Sequence, residues 1–211
     1  MGPLCIRLSS STHAHLLLWR QLCERRVVTF RFDRVHITGA AGSGTTTLGL
    51  ALAERLGVRH IESDDIAWFA TDPPFQQRRG PAERAAAFEA AARGAARWVL
   101  SGAILRWTDG PDIAFDLVVF LHIPETVRLA RLAARERARY GDAIDPGGAQ
   151  YESHEAFMRL ARGYESGAAP VNNLEGARAW LARQTCPVLQ IEGAAPLAES
   201  LETVLRFGGG R

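Results

Sequence analysis

From residue 34 onward, short β-branched or apolar runs alternate with stretches whose apolar residues return every three or four positions. Val35 and Ile37 form the first run, which stops at Gly39. Leu48, Leu52 and Leu56 then recur at helical spacing, and Gly57 ends that helix. Residues 59–62 read as a second strand. Pro81 opens an alanine-rich helix reaching about residue 97, with Phe88 as its one large anchor, and Trp98-Val99-Leu100 follows as a buried third strand. Residues 117–121 are a continuous apolar run of the kind that parallel sheets bury on both faces. An arginine-rich helix is predicted over 124–140, a loop over 140–148, helices near 152–165 and 174–183, a fifth strand over 188–191 and a closing helix over 197–207. Five strands alternating with helices imply an α/β domain whose parallel sheet is covered on both sides.

The first thirty-odd residues break this rhythm. A short helix over 13–24 and a strand-like alternation over 27–32 are the only patterns there, and 1–33 reads as a loosely held extension. The apolar stretch at 15–19 is too short to span a membrane and lacks the cleavage site of a signal peptide. The Gly-rich end, 208–211, is expected to fray. A length of 211 residues suits one domain with a sizeable core, and 47% hydrophobic with 23% charged residues is ordinary for a globular chain. The net charge of +2 argues against a large nucleic-acid surface. Cys5, Cys23 and Cys186 are odd in number and widely spaced, which suggests neither a disulfide framework nor a zinc site and fits a reducing cytoplasm. The histidines show no metal-ligand spacing, and a structural role is expected for each.

One turn carries candidate chemistry. Between the first strand and the first helix lies Gly39-Ala40-Ala41-Gly42-Ser43-Gly44-Thr45-Thr46-Thr47. Set against G-x-x-x-x-G-K-[ST], the match is Gly39, Gly44 and Thr46, but Thr45 stands where lysine belongs. The chain has no lysine at all: its 25 basic residues are all arginine. Glycines let successive N–H groups turn into one concavity, and the helix that follows adds its own unpaired N–H groups, so a polyphosphate is the expected guest. The alternative is a glycine-rich turn with no ligand.

On this strand–loop–helix unit and the alternation that follows it, the chain resembles the small P-loop kinases, adenylate kinase, shikimate kinase and their relatives, over roughly residues 34–207. The resemblance extends to bacterial adenylate-kinase-related ATP-binding proteins carrying a Gly-Ser-Gly-Thr-Thr-Thr loop. It implies a P-loop nucleoside-triphosphate-binding fold, strand order 2-3-1-4-5, a crevice at the carboxyl ends of the strands, a lid near residues 125–150, and ATP with Mg²⁺ as cofactors. It also implies that Ala40, Gly42, Ser43, Thr45 and Thr47 contribute to the phosphate cradle and that Thr46 meets the metal.

Four other places bear on chemistry. Glu62-Ser63-Asp64-Asp65 follows the second strand and looks like the Asp-x-Asp of shikimate-type kinases, with Glu62 near the metal and Asp64 orienting the acceptor hydroxyl; the alternative is a helix cap supplied by Asp64 or Asp65. Asp65, Trp68, the Asp72-Pro-Pro-Phe75 turn and Arg78-Arg79 lie where nucleotide kinases grip the acceptor, with Arg106 and Trp107 as further wall; a solvated basic loop is the plainer reading. Arg131 and Arg135 resemble the Arg-x-x-x-Arg of the adenylate-kinase lid, with Arg128, Arg137 and Arg139 as spares, against a surface helix salt-bridged by Glu125 and Glu136. Residues 192–196 follow the last strand, where relatives hold the adenine through backbone groups.

The expected function is an ATP-dependent phosphotransferase acting on a nucleotide or small hydroxylated metabolite. Its catalytic residues would be Asp64, Arg131 and Arg135, with Arg135 the first choice and Arg131 the second to replace the missing lysine by lid closure. The partner is a small-molecule phosphoryl acceptor, with neither nucleic acid nor membrane, and the chain is a monomer or homodimer. Thr45 keeps a second class open, an ATP-binding sensor that transfers nothing or hydrolyses slowly.

Overall fold

A computed structural model describes residues 29–104, 113–169 and 172–209. Five parallel strands lie in the order β2-β3-β1-β4-β5: β1 Arg34–Gly39, β2 Arg59–Glu62, β3 Trp98–Ser101, β4 Leu117–His122 and β5 Val188–Glu192. The helices are α1 Thr45–Leu56, α2 Ser63–Ala67, α3 Pro81–Ala92, α4 Glu125–Tyr140, α5 Tyr151–Ser166, α6 Leu174–Leu181 and α7 Leu197–Gly208. Expected fold and strand order are both present. Strands β3 and β4 are buried on both faces, so their sequences read as nearly unbroken apolar runs. Alternation still sorts them: Val35, Ile37, Val99, Leu117, Val119 and Leu121 face Leu48 and Leu52 of α1 and Val204 of α7. Trp98 and Leu100 face Phe88 of α3.

Register brings the chemistry to one edge. Gly39 pairs with Leu121, Ser101 with both Ile37 and Glu62, and His122 with Glu192, so the ends of all five strands open on one crevice.

Two expectations about the ends are corrected. Phe30 and Phe32 are buried in the main core, and the Arg31 N–H donates to the carbonyl of Gly208 at 3.0 Å. A Cβ on Gly208 would stand 2.0 Å from the Phe30 ring, so α7 ends in a glycine because an aromatic ring from the other terminus occupies that space. The packed unit therefore begins before residue 33 and includes Gly208 and Gly209; the expected helix over 13–24 lies outside the described residues. The strand expected over 27–32 reduces, in its described part, to a single bridge from Phe30 to Gly209.

Helix α3 stops at Ala92 rather than near 97. Gly94 takes φ +72°, and the Arg59 guanidinium accepts the role of cap by donating to the carbonyls of Ala91 (2.7 Å) and Arg93 (3.0 Å). The stretch expected as a free loop at 140–148 is instead tight: a 3₁₀ turn, Gly141–Ile144, buries Ile144, and Arg137 donates to the Gly141 carbonyl (2.9 Å) and to Asp145 (3.0 Å). None of the described helices is long and apolar enough to cross a membrane.

Candidate active site

The loop between β1 and α1 is built by close approaches. A Cβ on Gly39 would lie 2.6 Å from the Leu121 carbonyl and 2.7 Å from Ser43 Oγ. Gly42 and Gly44 have φ of +83° and +94°, a region L side chains avoid, and this reversal is what curls the loop. Ser43 N–H donates back to the Ala40 carbonyl at 3.0 Å, and Ser43 Oγ is buried with no partner among the described atoms. Above Gly44 the concavity is open: the nearest atom to a Cβ there is a guanidinium nitrogen of Arg131, 4.0 Å away. No side chain caps α1, so its first N–H groups face the same hollow.

Helix α4 forms the roof over this loop. Residues at every fourth position, Arg128, Leu132 and Glu136, are buried. A Cβ on Gly42 would strike the Arg128 carbonyl (2.5 Å) and Leu132 Cγ (2.9 Å), so backbone touches backbone. Arg128, expected as a spare, is fully buried: its Nε donates to Glu165 Oε1 at 2.9 Å, Nη2 pairs with the second oxygen, and the guanidinium lies 5.3 Å from the Tyr164 ring. Arg131, Arg135 and Arg139 form the adjacent, exposed stripe. Helix α4, the expected lid, packs directly on the loop in this conformation, and a guanidinium nitrogen of Arg131 already lies beside Gly44. Arg135, the expected first replacement for lysine, instead faces Asp64 and lies 3.5 Å from Glu136.

Opposite this stripe stand the acids. Glu62 ends β2, and its carboxylate meets the hydroxyls of Ser101 (2.7 Å) and Thr46. Desolvation pushes the Glu62 carboxyl above its usual range, the two hydroxyls pull it back, and the charges of Asp64 and Asp65 push it further. Asp64 opens onto the crevice, yet surrounding protein strips enough water from it to raise its carboxyl too; Arg135 and then Arg139 oppose that rise, while Asp65 adds to it. Helix α2 starts at Ser63 with no side-chain cap, so Asp64 and Asp65 sit in its first turn rather than capping it. Glu136, expected on a salt-bridged surface, is buried between Arg135, Arg139 and His154.

The residues expected to line an acceptor wall come together only in part. Trp68 packs edge-on to Phe75 (5.9 Å) with Arg78 over its ring (5.8 Å), and Arg139 reaches over Phe75 at 5.1 Å. Arg79 is a correction: its Nη1 donates to the carbonyls of Asp65 (2.6 Å) and Trp68, and its backbone N–H to Ala67 (2.8 Å). It fastens the end of α2 and does not offer an open fork to a ligand. Arg106 and Trp107 lie outside the described residues. At the end of β5, Glu192 pairs with His122 at 2.6 Å, and the N–H of Gly193 just beyond it donates to the His122 carbonyl. Arg139 at Asp64, Ser101 at Glu62 and His60 beyond it are the site residues whose roles sequence reasoning missed. Only their places at a strand end or on a helix stripe hint at them.

Residues 35–156, more than half of the chain, match a family described as an AAA domain. The chain belongs to that family. It is also 38% identical over 173 residues to the Bacillus subtilis (strain 168) protein named "Uncharacterized protein YqaC", a match covering 82% of this chain and 96% of that one. Among solved structures, a deoxyadenosine kinase from M. mycoides matches with TM-score 0.47 and 11% identity, over 82% of this chain and 97% of that one. A shikimate kinase from Bacteroides thetaiotaomicron matches with TM-score 0.42 and 19% identity, over 83% and 95%. The fold is a P-loop nucleoside-triphosphate-binding fold, with the family match, the strand order and the loop between β1 and α1 in agreement.

Proposed function

We propose that this protein is a phosphotransferase that moves the γ-phosphoryl group of Mg·ATP to a small acceptor bearing a hydroxyl or phosphate. The observation that carries the reading is the Arg131 guanidinium above Gly44, because it supplies at the open hollow the positive charge that Thr45 cannot. The donor set fits the cofactors. A hydroxyl from Thr46 and one carboxylate from Glu62 are hard oxygen donors, and Mg²⁺ is commonly held by one or two such groups together with phosphate and water. Bound there, Mg·ATP would supply the transferable group and neutralise part of its charge.

The chain's own residues do the rest. N–H groups of residues 42–47 hold the phosphates, and Arg131 meets the charge that grows on them. Asp64 accepts the acceptor's hydroxyl proton; its raised affinity for protons suits a base better than an ordinary surface aspartate would. The charges of Arg135 and Arg139 favour the ionised form of Asp64, and both side chains face the acceptor beside Trp68 and Asp65. Arg78 belongs to the same wall, and Arg79 braces it from behind.

The test is a transfer screen with labelled Mg·ATP against nucleoside monophosphates and hydroxylated metabolites, run beside Gly44→Val. Any Gly44 side chain would be strained at φ +94° and would fill the hollow. Transfer to at least one acceptor, lost in the variant, is the expected result; equal nucleotide affinity in both proteins would remove the loop as the site. Thr45 favours one second reading, an ATP-binding sensor: tight binding with no turnover toward any acceptor or water would select it.

A further inference from the structure

Helix α1 lies across the ends of β2 and β3 with Thr46 and Gly49 on one face, three residues apart. Under Thr46 is Glu62. Under Gly49 are Ser101 and His60: a Cβ on Gly49 would stand 2.8 Å from Ser101 Cβ and 2.9 Å from His60 Nε2. His60 Nε2 and Ser101 Oγ are 2.8 Å apart, and Ser101 Oγ–H donates to Glu62 Oε2 at 2.7 Å. A serine hydroxyl has one proton, and here it goes to the carboxylate. Ser101 Oγ must therefore accept from His60, which fixes the His60 tautomer with its proton on Nε2. The other carboxylate oxygen, Oε1, lies against Gly102, where a Cβ would come within 2.9 Å of it and within 1.9 Å of Ser63 Oγ. Glu62 is thus held by the Ser101 hydroxyl through Oε2, and its carboxylate also meets the Thr46 hydroxyl.

We infer that Ser101 and His60 are positioning residues which, in series, aim the Glu62 carboxylate at Thr46 and so set the affinity of the site for a divalent cation. The inference rests on the phosphotransferase reading, but it concerns residues outside the loop, the acidic cluster and the arginine stripe. Its physical basis is that a carboxylate near a cation needs its orientation fixed by hydrogen bonds, and losing such an outer partner typically costs about 10–100-fold in metal affinity. Ser101 is fully buried and His60 half-buried, so solvent does not replace their bonds freely. Gly49 is required for the same arrangement, because only a residue without a side chain lets α1 settle onto both of them.

The test uses Mn²⁺ as probe, with its binding to the full chain followed by electron paramagnetic resonance in the presence of a non-hydrolysable ATP analogue. Ser101→Ala should weaken Mn²⁺ binding by about tenfold or more. Affinity for the analogue in EDTA should stay near wild type. His60→Leu should weaken Mn²⁺ binding in the same direction, and His60→Gln, whose amide can still donate to Ser101, should recover most of it. A purely structural role would not produce that recovery. The inference is overturned if Ser101→Ala, folded by circular dichroism, or His60→Leu binds Mn²⁺ as wild type does. It is equally overturned if either variant loses metal-free affinity by the same factor. Failure of the wild type to bind the analogue with or without Mn²⁺ would instead overturn the phosphotransferase reading beneath it.

Discussion

Arg128 and Arg131 lie three residues apart on one helix, and the structure puts them to opposite uses. Arg128 points inward, is sealed from solvent and is paired through two nitrogens with Glu165 of α5. Arg131 points into the crevice and hangs over the phosphate hollow. What the first gives up in hydration it recovers only through its partner, so it holds α4 on α5 and, through the backbone contact at Gly42, on the loop. The second is exposed to solvent. One face of α4 is therefore packed for stability, and under the proposed function the other, exposed face serves chemistry.

The sharpest way to break this comparison is Arg128→Ala. It leaves Glu165 without its cation, and unfolding in urea should show a loss of about 3–5 kcal/mol. Replacing both partners with apolar residues, Arg128→Met with Glu165→Leu, should recover most of that loss. If Arg128→Ala melts like wild type, the inner face is not the anchor described. Arg131→Ala should do the converse. Transfer should fall about a hundredfold, the scale for one preorganised donor to developing charge, with an unchanged melting temperature. A larger effect from Arg135→Ala than from Arg131→Ala would return the lysine's role to the residue that faces Asp64.

Burial against exposure also governs protons. His36 is fully buried, donates from Nδ1 to the Leu100 carbonyl at 3.2 Å and stacks on Phe115; burial depresses its pKa to about 4, with the carbonyl bond opposing. The unfolded chain takes up that proton near 6.5, so stability is intact above that pH and falls as pH drops toward 4, by at most about 3 kcal/mol at 1.36 kcal/mol per unit. Urea melts of wild type and His36→Phe across this window should differ in slope, and equal slopes would mean that His36 takes up its proton in the folded state as readily as in the unfolded chain. The smallest effect expected is from Arg79→Ala, about 1.5 kcal/mol of stability from lost bonds to the carbonyls at the end of α2. Acceptor affinity should hold; a large rise in KM alone would restore Arg79 to the substrate wall.

Much of this protein was legible in its sequence because the signals were local. Val35, Ile37 and Gly39 followed by Leu48 and Leu52 specify strand, turn and helix within a few residues, where sterics and periodicity act. The loop's glycines announce a backbone reversal whatever surrounds them. The apolar run at 117–121 could lie only in a strand buried on both sides. Local reading failed where the deciding partner is distant in sequence. No pattern around Arg128 distinguishes it from Arg131, since the difference is Glu165 on another helix. Phe30 and Phe32 sit in a stretch without clear periodicity, and the C-terminal helix packs against them. Arg79 resembles a ligand fork until the carbonyls ending α2 are seen to occupy it. The sequence determined the elements and the phosphate loop; tertiary structure alone decided which charges were sealed in pairs and which were left facing the crevice, because desolvation depends on everything packed around a group and not on its neighbours along the chain.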